Sequence, residues 1–158
     1  MARRGLHQLI AEAPVFAGLD PEQLGVIAGC GRNQHAAAGS LLLREGDPAD
    51  IFYLLRSGAV ALEIHAPGRP PLLIQTLHEH DVVGWSWLFE PYRWRMDGRA
   101  LNECGLVAFD AACLRTKCEH DHELGYQLMR RFAAVVCERL QETRMQLIDV
   151  YGHAPVTA

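Results

Sequence analysis

The hydrophobic rhythm of this chain changes once, and that change restricts its fold more than any other feature. From Asn33 to Phe109 the apolar residues come in short runs broken by turn signals. LLL runs into Arg-Glu-Gly-Asp-Pro, IFYLL and AVALEI are hinged at Ser57-Gly58, and LLIQTL ends in a polar turn. RALNECGLVAF reads as two more short runs around Gly105. Runs of this length and composition read as strands. After Asp110 the period lengthens. AACLRTKCEHD predicts a short helix. From about Asp121 to Tyr151 there is no proline and Gly125 is the only glycine, which predicts a helix of about 30 residues, roughly 45 Å long. Strands first and helices after give an α+β fold, an antiparallel β-roll or jelly-roll-like barrel, and not alternating β and α units.

The start of the chain adds two helices. MARRGLHQLIAEAP carries two arginines but no apolar core ahead of Glu12 and Pro14, so it reads as a short amphipathic helix and not as a signal peptide. Asp20 is placed to cap a helix with Pro21 at its first position, running to about Cys30, with Leu24, Ile27 and Ala28 on one face. The expected organisation is a helical segment over 1–14, one domain over 15–151 with the long helix from about 121, and a tail over 152–158.

Composition bounds the function. The 158 residues are enough for one domain with a real core. A formal charge of −4 argues against nucleic acid as the main partner, and no apolar run approaches the ~20 residues that span a bilayer. Five cysteines without a C-x-x-C pair read as reduced thiols of a cytoplasmic protein. The pairs His78/His80 and His120/His122, the latter near Cys113 and Cys118, match no zinc spacing and read as solvated turn residues. No nucleophile elbow, phosphate loop or HExxH motif gives catalysis a foothold, so no enzyme is expected.

On the long helix, Leu124, Leu128, Phe132, Val135/Val136, Leu140, Leu147 and Val150/Tyr151 step mostly by three or four. One small barrel cannot cover so long a stripe, which predicts a homodimer through this helix. The alternative is that the stripe packs wholly on its own barrel.

All three tryptophans fall in one stretch, VVGWSWLFEPYRWRMDGRA, Val82 to Ala100, together with Arg93, Arg95 and Arg99. With VFAGLDPEQL before the strands, LLREGDPADIFYLLRSGAVAL within them and RLQETR on the long helix, this stretch resembles the cyclic-nucleotide-binding domain of the Crp/Fnr type, over about Val15 to Tyr151. The resemblance implies a regulatory protein, a glycine-led cassette that binds phosphate, and a long dimerisation helix facing the base. In that cassette a short helix turns its unpartnered N–H groups on a cyclic phosphate. An arginine about ten positions after the glycine adds a cation, and a glutamate directly after the glycine accepts from the ribose.

Placed on this chain, the glycine is Gly84 and the glutamate position holds Trp85. Counting ten on from Gly84, or five back from Arg99-Ala100, gives Trp94 at the arginine position. Alternation beyond it puts Met96, Gly98 and Ala100 inward with Trp94, and Arg95, Asp97 and Arg99 outward. A one-residue slip would bring Arg93 or Arg95 to the pocket. An indole N–H only donates, so the ribose has lost its acceptor, while Ser86 can still cap the turn or meet an anion.

The candidate ligand residues are therefore Gly84, Trp85, Ser86, Trp87, Arg93, Trp94 and Arg95. Leu140, Thr143 and Arg144 form a further set at the ligand or dimer seam. Three readings of the tryptophans stand: they plug the pocket, they shape it for a different flat or apolar ligand, or cyclic nucleotide binds through other contacts. Thr143 likewise either reaches a base across a dimer or bonds back to a helix carbonyl. The expected function is a stand-alone sensor or regulatory domain with a degenerate cassette, and the alternative is a ligand-free structural or adaptor subunit. Its ligand is a cyclic nucleotide or another small anionic or aromatic molecule, and its partners are a second copy and a partner protein. The chain reaches IDVYG and stops at HAPVTA, which leaves no room for a DNA-recognition helix, so no nucleic acid and no membrane is expected of this chain alone.

Overall fold

The computed structural model describes residues 5–152. Two helices open it, α1 (Leu6–Glu12) and α2 (Pro21–Gly29), with a 3-10 turn at Pro14–Phe16 between them. Residues 1–4 of the expected first helix and 153–158 of the expected tail lie outside the described residues. Asp20 caps α2 in a reciprocal box. Its carboxylate accepts from the Gln23 N–H at 2.7 Å, and its own N–H donates to the Gln23 side chain at 3.2 Å, so two orphan donors of the first turn are satisfied.

Eight strands follow: β1 (Gly31–Ala36), β2 (Leu41–Leu43), β3 (Ile51–Ser57), β4 (Val60–Ile64), β5 (Leu72–Leu77), β6 (Val82–Val83), β7 (Asp97–Ala100) and β8 (Cys104–Asp110). They form two four-stranded antiparallel sheets, ordered β1-β8-β3-β6 and β2-β7-β4-β5, the β-roll that the short apolar runs predict. The run at Leu101–Glu103 is a turn, and Gly105 lies inside β8, opposite both His35 and Ser57, not between two strands. It sits where β3 shifts register, and its N–H donates to Ser57 Oγ at 3.1 Å. β8 is buried along all but its last residue, because it lies between β1 and β3 with both faces covered. That is why its sequence is a continuous apolar run without alternation.

Two helices close the domain, α3 (Ala111–His120) and α4 (His122–Gly152). Asp110 caps α3 by accepting from the Cys113 N–H at 3.0 Å, and Asp121 accepts from the Leu124 N–H at 3.2 Å at the start of α4. The stripe on α4 divides in two. Leu124, Leu128 and Phe132 are buried against the roll, whereas Leu140, Leu147, Val150 and Tyr151 are 49–73% exposed. One barrel covers only the first half.

An aromatic cluster ties these parts together. Phe52 of β3 stacks on Phe109 of β8 at 4.8 Å, Phe16 approaches Phe109 at 5.7 Å, and Phe132 of α4 meets Phe52 edge-on at 5.7 Å. Each such pair adds roughly 0.5–1.5 kcal/mol beyond its buried area.

A candidate ligand pocket in the tryptophan cassette

The cassette runs from the end of β6 to the start of β7. Gly84 has φ +97°, and a Cβ on it would lie 2.5 Å from the Trp94 ring. Only glycine meets both demands, the left-handed backbone and the close approach of an indole. After it the chain makes a single 3-10 turn, Ser86–Leu88, where the sequence suggests a short helix. Its three residues present no extended row of N–H groups.

The second half of the cassette is pinned to the Gly46-Asp47-Pro48 turn. Trp94 N–H donates to Asp47 O at 3.0 Å, Gly46 N–H donates to Trp94 O at 2.8 Å, and Ala49 N–H donates to Tyr92 O at 2.7 Å. Those bonds set the alternation. Trp94 is buried with Gly98 and Ala100, and Met96 is half-buried. Arg93 and Arg95 are exposed, and Arg93 donates to Gly46 O at 2.8 Å, which anchors the turn. Asp97, expected among the outward polar residues, is instead buried. Its carboxylate accepts from the Glu45 N–H at 2.8 Å and meets His65 Nε2 at 2.7 Å, so bonds to a neighbouring turn and strand override simple alternation.

The three tryptophans do three different things. Trp87 leaves the pocket altogether and joins the core, stacked on Phe52 at 4.4 Å and edge-on to Phe132 at 5.3 Å. Trp94 fills the space above Gly84. Trp85 is half-buried, and the Arg139 guanidinium of α4 lies 4.9 Å from its ring centre, a cation–π contact.

A cavity of about 270 Å³ remains between them. Leu43, Leu62, Ile64 and Met96 form its aliphatic wall. Gly84, Trp85, Ser86 and Trp94 form its cassette side, and Arg95 and Arg139 are its cations. A neighbouring cleft of about 420 Å³ lies on the other side of Trp85, bordered by Phe89, Arg93, Val136 and Cys137 and sharing Ser86 and Arg95 with the first. A larger hollow, about 530 Å³, opens beside Cys30 and Cys113, away from the cassette.

Arg139 opens the RLQETR stretch but is not among the candidate residues read from the sequence, and the structure brings it to the cavity. It is 7% exposed and donates to Val82 O through Nη2, while Nη1 is buried with no hydrogen-bond partner among the described residues. Burial pushes its pKa down, and the nearby charges of Asp81, Glu142 and Glu138 oppose that shift. A signal did exist: Leu128, Phe132, Val135, Arg139 and Thr143 fall in register on α4, so Arg139 is an arginine inside an apolar stripe. Of the seam residues, Leu140 and Arg144 are exposed. The Thr143 hydroxyl donates to Arg139 O at 2.9 Å, which is the back-bond to a helix carbonyl.

Among the described residues no cluster of three or more His, Cys, Asp or Glu is arranged to hold a metal, and no helix is long and apolar enough to cross a membrane. His78 lies in a turn where its N–H donates to Asp81 at 2.9 Å, and His120 contacts Thr116 O at 3.1 Å.

Comparison with known proteins places this architecture. The profile of the cyclic nucleotide-binding domain matches residues 33–121, so the chain belongs to that family. A CRP-like cAMP-activated global transcriptional regulator of Mycobacterium tuberculosis is 25% identical over 145 residues, 92% of this chain and 63% of the regulator. The chain thus spans less than two thirds of that relative. Among solved structures, a protein from Geobacter metallireducens GS-15 described as cyclic nucleotide-binding superposes with a TM-score of 0.78 at 29% identity, over 87% of this chain and 99% of that one. The N-terminal domain of a transcriptional regulator from Streptomyces coelicolor A3(2) superposes at 0.66 with 27% identity, over 88% and 94% of the two chains.

Proposed function

We propose that this chain is a cyclic nucleotide-binding-type regulatory domain whose pocket no longer takes cyclic AMP or cyclic GMP in the family's way. Its output is the state of α4, offered to a second copy and to a partner protein. The observation that carries this reading is the pair of tryptophans at the two ligand positions. Trp85 stands where the resemblance places the ribose acceptor. Trp94 stands where it places the phosphate cation, with its ring against Gly84. Among the described residues no side chain lining the cavity is a carboxylate or an amide, so the ribose hydroxyls find no acceptor of either kind among them, and leaving buried polar groups unpaired is expensive.

A route from pocket to output exists. Trp85 contacts Arg139 and Trp87 contacts Phe132, so both halves of the cassette turn touch α4. A ligand shifts such a helix only by binding its two arrangements unequally. The relatives are named as regulators, and this chain's role is read as regulatory, with no reaction assigned to it. The second reading is a ligand-free adaptor with a plugged pocket. Trp94 over Gly84 favours it, and the remaining cavity opposes it.

The test is a titration with cyclic AMP and then cyclic GMP, following tryptophan emission, since Trp85 and Trp94 line the cavity. No saturable change up to about millimolar ligand is expected, an affinity no tighter than roughly −4 kcal/mol. Saturation at micromolar ligand would overturn the reading and assign the phosphate to Arg93 or Arg95.

A further inference from the structure

Resting on the reading of a pocket that has left cyclic nucleotides, we infer that the cavity between Trp85, Trp94 and Arg139 binds a small flat carboxylate, an aryl acid, with its ring on the indoles and its anion against the Arg139 guanidinium. Three observations converge. The first is the unpaired donor. Arg139 is 7% exposed and lines the cavity, and its Nη1 has no hydrogen-bond partner among the described residues. Asp81, Glu142 and Glu138 are close enough to favour its charge, yet none of them bonds that nitrogen. A buried guanidinium with an idle donor costs free energy, and an anion in the cavity compensates its charge, with a small turn of the side chain bringing Nη1 to the new acceptor.

The second is the fixed direction of the fork. Nη2 is held by Val82 O, and the guanidinium lies over the Trp85 ring, so the group is oriented before any ligand arrives. A planar carboxylate fits a guanidinium edge in a way a spherical anion does not. The third is the character of the walls. They are indole and aliphatic apart from Ser86 and Arg95, and about 270 Å³ is near the lower end of the range for small-molecule sites, roughly 300–1,000 Å³. Apolar flat walls and few polar groups select a compact aromatic body carrying one charge. A sugar, with several hydroxyls to satisfy, does not fit that inventory.

The experiment is isothermal titration calorimetry with 2-naphthoate, its neutral counterpart 2-naphthalenemethanol, and cyclic AMP as competitor. Wild-type protein is expected to bind the carboxylate at least tenfold more tightly than the alcohol. Arg139→Gln should abolish that preference while leaving alcohol binding in place, and Arg139→Lys should retain part of it. Should Arg139→Gln fail to fold by circular dichroism, the wild-type comparison and Arg139→Lys decide the matter. Equal affinity for acid and alcohol in the wild type, no saturation by either, or a preference that survives Arg139→Gln overturns the inference. Displacement of naphthoate by micromolar cyclic AMP would instead overturn the underlying reading of the pocket, a result distinguishable from the other failures.

Discussion

Two residues make the pocket what it is, and they depend on each other. Gly84 gives the left-handed turn, and the Trp94 ring occupies the space a Cβ would need, 2.5 Å away. A side chain there would carry strain of about 1–2 kcal/mol from the backbone and roughly 1–3 kcal/mol from overpacking. Gly84→Ala should therefore lower stability by about 2–5 kcal/mol, measured by urea unfolding. In a Trp94→Ala background the overpacking part should disappear and the cost of Gly84→Ala should fall, a coupling that a double-mutant cycle reads directly. Equal costs in both backgrounds would show that the indole does not rest on the glycine. Trp87 makes the opposite point. Trp85 and Ser86 just before it line the cavity, but its ring belongs to the core, and sequence proximity alone could not separate those two roles.

The elements were largely legible because each carries a local signal. Asp20-Pro21 starts α2, Asp110 starts α3, the proline-free run after Asp121 is α4, and turn chemistry divides the strands. What escaped are places where long-range contacts win. Gly105 stays within β8 because Ser57 of β3 bonds its N–H. Asp97 turns inward because the Glu45 N–H and His65 meet it there. Arg139 lies in the RLQETR stretch, but its place beside the cavity was not legible, since its contacts with Trp85 and Val82 lie far away in sequence. The seam between α2 and α3 offers a test at this scale. Cys30 ends α2, and burial, then its hydrogen bond with Cys113 and that thiol's charge, push its pKa from 9.0 to about 12, with Lys117 opposing and Asp110 adding. Cys118 of α3 is pushed up to about 11 by burial and then by Asp121 and Glu119. In the unfolded chain both thiols ionise near 9, while in the fold they stay protonated, so above pH 9 the unfolded state binds fewer protons and stability falls as pH rises. The stabilisation is complete below about pH 9 and is lost by about pH 12. Urea midpoints should decline across that window, and Cys30→Ser, whose hydroxyl does not ionise there, should flatten the decline.

At the scale of the whole molecule the unsolved surface is the far half of α4. Its first half is built into the aromatic cluster through Phe132, so the helix is anchored whether or not its end finds a partner. Beyond Arg139 the seam positions Leu140, Thr143, Leu147 and Val150/Tyr151 are spaced as in a paired helix, and the leucines are about half exposed. A monomer would leave this apolar strip in water, and burying the exposed half of each leucine against a second copy would recover roughly 0.7–1.5 kcal/mol. We therefore expect a two-fold dimer in sedimentation equilibrium at low micromolar protein. Replacing Leu140 and Leu147 together by Glu removes four buried leucines per dimer and sets like charges against each other across the axis. That change should weaken association by at least a thousandfold, about 4 kcal/mol, while circular dichroism keeps its helical signal because the anchored half of α4 is untouched. A wild-type protein that sediments as a monomer at about 100 µM, near −5.5 kcal/mol of association, would show that the strip is reserved for a different protein.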